Sequence, residues 1–131
     1  MLNLANVNNI VNFPYTGLCV WGARTLEPFG AGEFPYIQMR RLFMFVEKSV
    51  FNAAQQFVFE SNTAALRAAL QLQVSSFLLG LQTSGHFAGA TPAESFFVVC
   101  DESNNPESSV NQGILVCDVG IAPTNFEVLG P

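Results

Sequence analysis

The fold is decided by the stretch Phe96-Phe97-Val98-Val99-Cys100-Asp101 and the segment before it, Gly85-His86-Phe87-Ala88-Gly89-Ala90-Thr91-Pro92-Ala93-Glu94-Ser95. Five consecutive apolar residues, 96–100, predict a buried strand. Pro92 prevents a helix from continuing into this strand, and the small residues around it predict a loop. A helix should therefore end near Gly85, and a strand of a sheet should follow the loop.

Two long amphipathic helices are predicted before this strand. The first should begin near Pro35 or Tyr36, because proline suits an early helical position. The second should be capped by Asn62 or Thr63 and should run to about Thr83. The apolar stripes that mark their buried faces are Met39, Phe43, Val46, Val50 and Ala54 in the first helix, and Leu66, Leu70, Val74, Phe77 and Leu81 in the second.

Three other apolar runs predict further strands, at residues 18–21, 57–59 and 114–119. Residues 102–112 are polar and predict a surface loop. The predicted order is β-α-β-α-β-β, which is an α/β (α+β) fold with a small mixed sheet and two long helices packed on it.

The composition indicates a single domain that associates with other chains. The 131 residues suffice for one core, but only 11% are charged, against about 25% in typical soluble domains. Such a chain should leave apolar surface exposed, and large exposed apolar patches usually mark interaction sites. Five basic residues and a net charge of −5 do not make the surface of a nucleic-acid binder.

Several other classes of function are not indicated. No signal peptide and no apolar run of about 18 residues are present, so neither export nor a membrane partner is expected. Cys19, Cys100 and Cys117 have no metal-binding spacing, and buried free thiols are expected; two of them could bond only if their strands are neighbours. His86 could be written with Cys100 and Asp118 as a catalytic triad, but nothing in their spacing supports it. No enzyme, metal or cofactor is predicted.

The first 17 residues predict an extended arm. They carry no charge, and their asparagines oppose long regular elements while their apolar residues require burial. The predicted organisation is therefore an N-terminal arm (1–17), an α/β domain (18–123) and a short C-terminal arm (124–131).

Several blocks of the sequence resemble the contractile tail sheath family. Residues 13–26, FPYTGLCVWGARTL, resemble its FPG-G-VVWGARTL signature, and residues 36–43, YIQMRRLF, resemble YINVRRLF. Residues 56–60, QFVFE, are similar to QWVVFEP. Residues 89–101 are similar to GATPEEAFFVRCD, and residues 113–123 to GRLVVEVGVAP. The blocks occur in the family's order and span nearly the whole chain.

The resemblance implies a structural protein that assembles with itself. Sheath proteins stack as hexameric rings around an inner tube in phage tails and injection systems. Their C-terminal domain, which these blocks resemble, receives added strands from the extended arms of neighbouring subunits. The implied partners are other copies of the chain and an inner tube protein, in a virion tail or injection-system particle. The residues that would serve as assembly arms are Leu2, Leu4, Val7, Ile10, Val11, Phe13, Phe126, Val128 and Leu129.

The sequence departs from the family in two ways. Family members carry hundreds of residues before the WGARTL signature, and their last strand is longer than residues 126–131. The chain is therefore expected to be either a fragment of a sheath or a minimal relative that forms a static tube. Two rivals are a small soluble α/β binding module with a ligand at the 85–91 turn and, third, an enzyme using His86.

Overall fold

The computed structural model describes residues 7–27 and 34–124. In chain order the helices and strands are β1 (Asn9–Phe13), β2 (Gly17–Trp21), α1 (Ile37–Ala54), α2 (Ala64–Thr83), α3 (Pro92–Ser95), β3 (Phe96–Val99), α4 (Glu107–Asn111) and β4 (Asp118–Ile121). The predicted α/β fold with two long helices is confirmed. The chain divides into two compact units between Glu47 and Lys48, within α1.

The first unit is built on a β-hairpin. Strands β1 and β2 pair antiparallel, from Asn9 opposite Trp21 to Phe13 opposite Gly17. Three residues, 14–16, connect them, and Gly17 has φ of 75°, as in hairpin loops that end on a left-handed glycine. The remainder of this unit is the first part of α1 and the segment that leads into it.

The second unit is organised around α2. Thr63 caps this helix by accepting a hydrogen bond from the Leu66 amide at 3.2 Å, and Gly85, with φ of 81°, follows its end, as the sequence predicts. Leu70, Val74 and Leu78 are fully buried along one side. By length and composition alone α2 could also cross a membrane, but the core helix of a soluble protein has the same properties.

Strand β3 packs against α2 and pairs antiparallel with β4. The Gln71 side chain donates to the Val98 carbonyl at 3.0 Å, and Val98 is buried. The register runs from Phe96 opposite Ile121 to Val99 opposite Asp118. The predicted strand at residues 96–100 is thus confirmed almost to its ends.

Three local features differ from the prediction. The four strands form two antiparallel sheets, β1-β2 and β3-β4, where one mixed sheet was expected. Residues 57–59 are not a strand, because α1 continues into a 3-10 turn (Gln55–Phe57) and the Glu60 amide donates to the Phe57 carbonyl at 3.2 Å. The run 114–119 becomes a strand only at Asp118, because Val116 pairs with the side chain of Asn105.

Two short helices occupy segments predicted as loops. Helix α3 begins at Pro92, which stands at its first turn, and Thr91 with Glu94 forms a capping box. Proline ends one helix but is well suited to start another, so Pro92 marks a beginning as well as an end. Helix α4 begins at Glu107, directly after Pro106, which is its N-cap residue.

Candidate functional site

The β-hairpin exposes an apolar face. Ile10 and Val20 are cross-strand partners, and Leu18 lies two residues along on the same side. The exposed fractions of these side chains are 72% for Ile10, 69% for Val20 and 76% for Leu18. The opposite face carries Asn9, Val11, Phe13 and Cys19, which are half-buried, and Trp21, which is 54% exposed.

No charge protects this hairpin. The first charged residue of the whole chain is Arg24, after both strands have ended. Natural proteins commonly place charges, prolines or bulges on open strands to prevent another strand from pairing with them. Within residues 7–27 and 34–124, β1 and β2 have no strand partner besides each other, so each leaves one edge open.

The hairpin is anchored by the side chain of Asn8, which binds both polar backbone groups of Arg24 as a neighbouring strand would. Asn8 donates from its amide nitrogen to the Arg24 carbonyl at 2.9 Å and accepts from the Arg24 amide at 3.0 Å. A Cβ at Gly22 would come within 2.5 Å of the Asn8 amide oxygen. The glycine in the WGARTL stretch therefore gives Asn8 the space to reach Arg24, and its φ of 146° is one that glycine adopts readily.

The next segment fastens the hairpin to the start of α1. The Thr25 amide donates to the Pro35 carbonyl at 3.0 Å, and the Thr25 hydroxyl donates to the Phe34 carbonyl at 2.6 Å. The Phe34 ring packs edge-on against Phe43, 4.8 Å between centroids, and the Arg40 guanidinium lies 4.9 Å from the Phe34 centroid. These contacts give the hairpin a fixed base within the first unit.

One polar atom in the hairpin is buried without a partner. The side-chain oxygen of Asn9 accepts no hydrogen bond from any residue in the described part of the chain. A buried acceptor of this kind costs about 1–3 kcal/mol. A donor from a further segment or chain would remove that cost.

The predicted arm residues are only partly described. Val7 and Ile10 are exposed, while Val11 and Phe13 are half-buried in the hairpin. Leu2, Leu4, Phe126, Val128 and Leu129 lie outside the described residues. Leu18 and Val20 are not among the predicted arm residues, although their alternation with Cys19 is the signal that identifies a common face.

The residues considered for catalysis do not make a site. His86 is exposed in the turn after α2, whereas Cys100 is buried. Among the described residues, no three His, Cys, Asp or Glu side chains are grouped so that they could hold a metal ion.

Comparison with known proteins identifies relatives of the chain. No family model matches it. The tail sheath protein of Vibrio phage KVP40 is 30% identical over 117 residues, which are 89% of this chain and 16% of that protein. The chain thus spans about a sixth of the length of this relative.

Solved structures give the same result. A chain of the anti-feeding prophage (AFP) baseplate is 32% identical, with a TM-score of 0.88 over 98% of this chain and 37% of its own. The sheath complex of PVC, an extracellular contractile injection system, in its contracted state is 30% identical, with a TM-score of 0.84 over 95% of this chain and 36% of its own. The contracted AFP helical sheath is 32% identical, with a TM-score of 0.82 over 98% of this chain and 37% of its own. By sequence and by fold, this chain belongs to the contractile tail sheath family.

Proposed function

We propose that the chain is a structural subunit that assembles with copies of itself into a helical sheath or tube. The observation that carries this proposal is the uncharged hairpin, whose exposed face holds Ile10, Leu18 and Val20. An isolated two-stranded hairpin with an open apolar face is marginal in water, so a partner that covers it would stabilise it. Relatives from a helical sheath and a sheath complex support the same function.

The proposed contact is strand addition to the open edges of the hairpin. Main-chain hydrogen bonds would supply affinity, and the alternating side chains would fix the register. Residues 9–13 already pair with β2 of the same chain. The added strands would therefore come from residues 1–6 and 125–131 of a neighbouring copy, which include Leu2, Leu4, Phe126, Val128 and Leu129.

The same proposal extends to the particle. Copies would stack as hexameric rings around an inner tube protein, in a virion tail or an injection-system particle. The role is non-enzymatic, since the relatives come from a tail sheath, a sheath complex and a baseplate.

The rival function, a binding module with a ligand at the 85–91 turn, is not favoured. The amides of Ala90 and Thr91, which could hold an anionic ligand, donate to the Glu94 carboxylate at 3.0 and 3.2 Å. A Cβ at Gly89 would lie only 2.8 Å from the Glu94 Cβ, so this turn is filled by the chain's own side chain.

Negative-stain microscopy of the purified chain at several concentrations tests the assembly. We expect regular tubes or stacked rings whose number rises with concentration. Small monodisperse particles at every concentration would contradict self-assembly by this chain.

A pair of matched variants tests the surface. Ile10→Lys with Val20→Lys places charges on the hairpin face and should abolish the tubes while circular dichroism stays unchanged. Leu72→Lys is the control, because Leu72 is 68% exposed on α2, in the other unit. Tubes that survive in the hairpin variant would exclude this face as the contact surface. Deletion of residues 1–6 should likewise prevent assembly if those residues supply the added strand.

A further inference from the structure

We propose that Cys100 and Cys117 form a latent disulfide site, in which a small-molecule disulfide oxidises the two thiols to a cross-strand bond. The bond would join the end of β3 to the start of β4 within one subunit. This site is independent of the assembly proposed above.

The register of the sheet places the two cysteines opposite each other. Val99 pairs with Asp118 as the last pair of the antiparallel ladder, and continuing the same register by one residue sets Cys100 opposite Cys117. Directly opposed residues have Cα atoms about 4.5–5.5 Å apart, which lies within the range of about 4.4–6.8 Å found for disulfides. Each thiol influences the pKa of the other, which indicates that the two side chains lie close together.

Two asparagines hold the backbone on both sides of this pair. Asn105 binds both polar backbone groups of Val116, accepting from its amide at 2.7 Å and donating to its carbonyl at 2.8 Å. Asn104 donates to the Val99 carbonyl at 2.7 Å and to the Asp118 carboxylate at 3.0 Å. The residues that flank each cysteine are thereby held in place on both strands.

The protein environment keeps both thiols protonated in the reduced state. Burial raises the pKa of Cys117 to about 12 and also raises the pKa of Cys100. Because the thiolate is the reactive species, oxidation at neutral pH is slow. The site is therefore latent at neutral pH and becomes reactive as pH rises.

The reaction proceeds by two thiol–disulfide exchanges. Cys117 is half-buried while Cys100 is almost fully buried, so Cys117 reacts first. Its thiolate attacks one sulfur of oxidised glutathione, forms a mixed disulfide and releases one glutathione. The Cys100 thiolate then attacks the Cys117 sulfur and releases the second glutathione. In total the two protein thiols lose two electrons and two protons and become a disulfide. One molecule of oxidised glutathione takes them up and becomes two glutathione thiols.

The test is oxidation of the folded chain with oxidised glutathione at pH 7, 8 and 9, followed by alkylation in denaturant and mass spectrometry. We expect the 100–117 cross-linked peptide, with Cys19 still alkylated. Its rate of formation should rise about tenfold per pH unit. Closing this short loop should raise the Tm by roughly 10 °C relative to the reduced chain.

Two controls separate a built site from random pairing. Oxidation in denaturant should scramble the pairing and include Cys19, whereas the folded chain should give one product. Cys19→Ser should form the same cross-link at the same rate. Full alkylation of Cys100 and Cys117 in the oxidised folded chain, or glutathione adducts without a cross-link, would overturn the proposal.

Discussion

The ring of Phe97 lies over the Cα of Gly120, its cross-strand partner in the β3-β4 sheet. A Cβ at position 120 would come within 2.7 Å of the Phe97 Cδ1 atom and closer still to the outer ring atoms. Glycine inside a strand normally weakens it, since it has no side chain to pack. Here the aromatic ring covers the space that a side chain would fill.

This contact predicts that Gly120→Val destabilises the fold. The new side chain must displace the Phe97 ring. Because this ring is 57% exposed and can turn outward, the cost should lie near the lower end of the about 1–3 kcal/mol expected for overpacking. Gly80→Ala is the matched control, because nothing lies near the Cβ position of Gly80 in α2. It should stabilise the chain by up to about 1 kcal/mol through helix propensity. Urea unfolding followed by circular dichroism measures both, and equal effects would refute the role of Phe97.

The hydrogen bonds of the buried Asn105 side chain predict a large loss of stability when that side chain is removed. It is 3% exposed and satisfies both polar backbone groups of Val116 and the carbonyl of Asp101. Asn105→Ala leaves both polar backbone groups of Val116 unpaired, whereas the Asp101 carbonyl keeps the Asn105 backbone amide as a donor at 3.1 Å. The substitution should lower the free energy of unfolding by about 2–4 kcal/mol. Asn111→Ala, at an exposed position in α4, should change it by less than about 0.5 kcal/mol. Comparable unfolding curves for the two variants would contradict this account.

The backbone conformation of Phe59 predicts that a substitution at this position can stabilise the subunit. Its φ is 75° and its side chain is fully exposed, so it carries backbone strain without burying its ring. Phe59→Asn places a residue that tolerates this conformation, and the free energy of unfolding should rise by about 1 kcal/mol. Phe51→Asn, at an exposed helical position, should bring no such gain. A less stable Phe59→Asn protein would show that the ring packs in solution.

The lowered pKa of the Glu94 carboxyl predicts that this residue accounts for part of the loss of stability in acid. Hydrogen bonds from the Thr91 and Ala90 amides hold the pKa of its carboxyl below the usual value of 4.5. Because the folded-state pKa is lower than the unfolded one, this stabilisation is present above pH 4.5 and is lost as pH falls through the folded pKa. Glu94→Gln should therefore reduce the fall in Tm between pH 5 and pH 3. Glu102→Gln controls for net charge, and an equal reduction there would assign the effect to charge alone.

The helices were predictable because their signals are local. The Thr63 cap of α2 is contained in the sequence that forms the helix and is confirmed, as are Leu70 and Val74 of the predicted stripe. Leu66, Phe77 and Leu81 are only half-buried, and the buried face continues through Leu78. Residues 57–59 have the composition of a strand, but a strand needs a partner, and composition does not show whether one is available. The same limit applies to Val116, whose partner is the Asn105 side chain and not a strand.

The candidate surface was predictable only in outline. The absence of charge before Arg24 indicates a segment that seeks a partner, and the sequence shows this directly. The common face of Ile10 and Val20 depends on the register, which the three-residue loop before Gly17 sets. The pairing of Cys100 with Cys117 likewise required the β3-β4 register.

The division of the strands into two separate pairs sets the connectivity of any assembly. Each described strand has one neighbouring strand, so the described part of a subunit offers at most four open edges. A linear fibre needs only two connections per subunit. With more than two, the proposed assembly would be a network with redundant paths, in which the loss of one link leaves every subunit tethered through another.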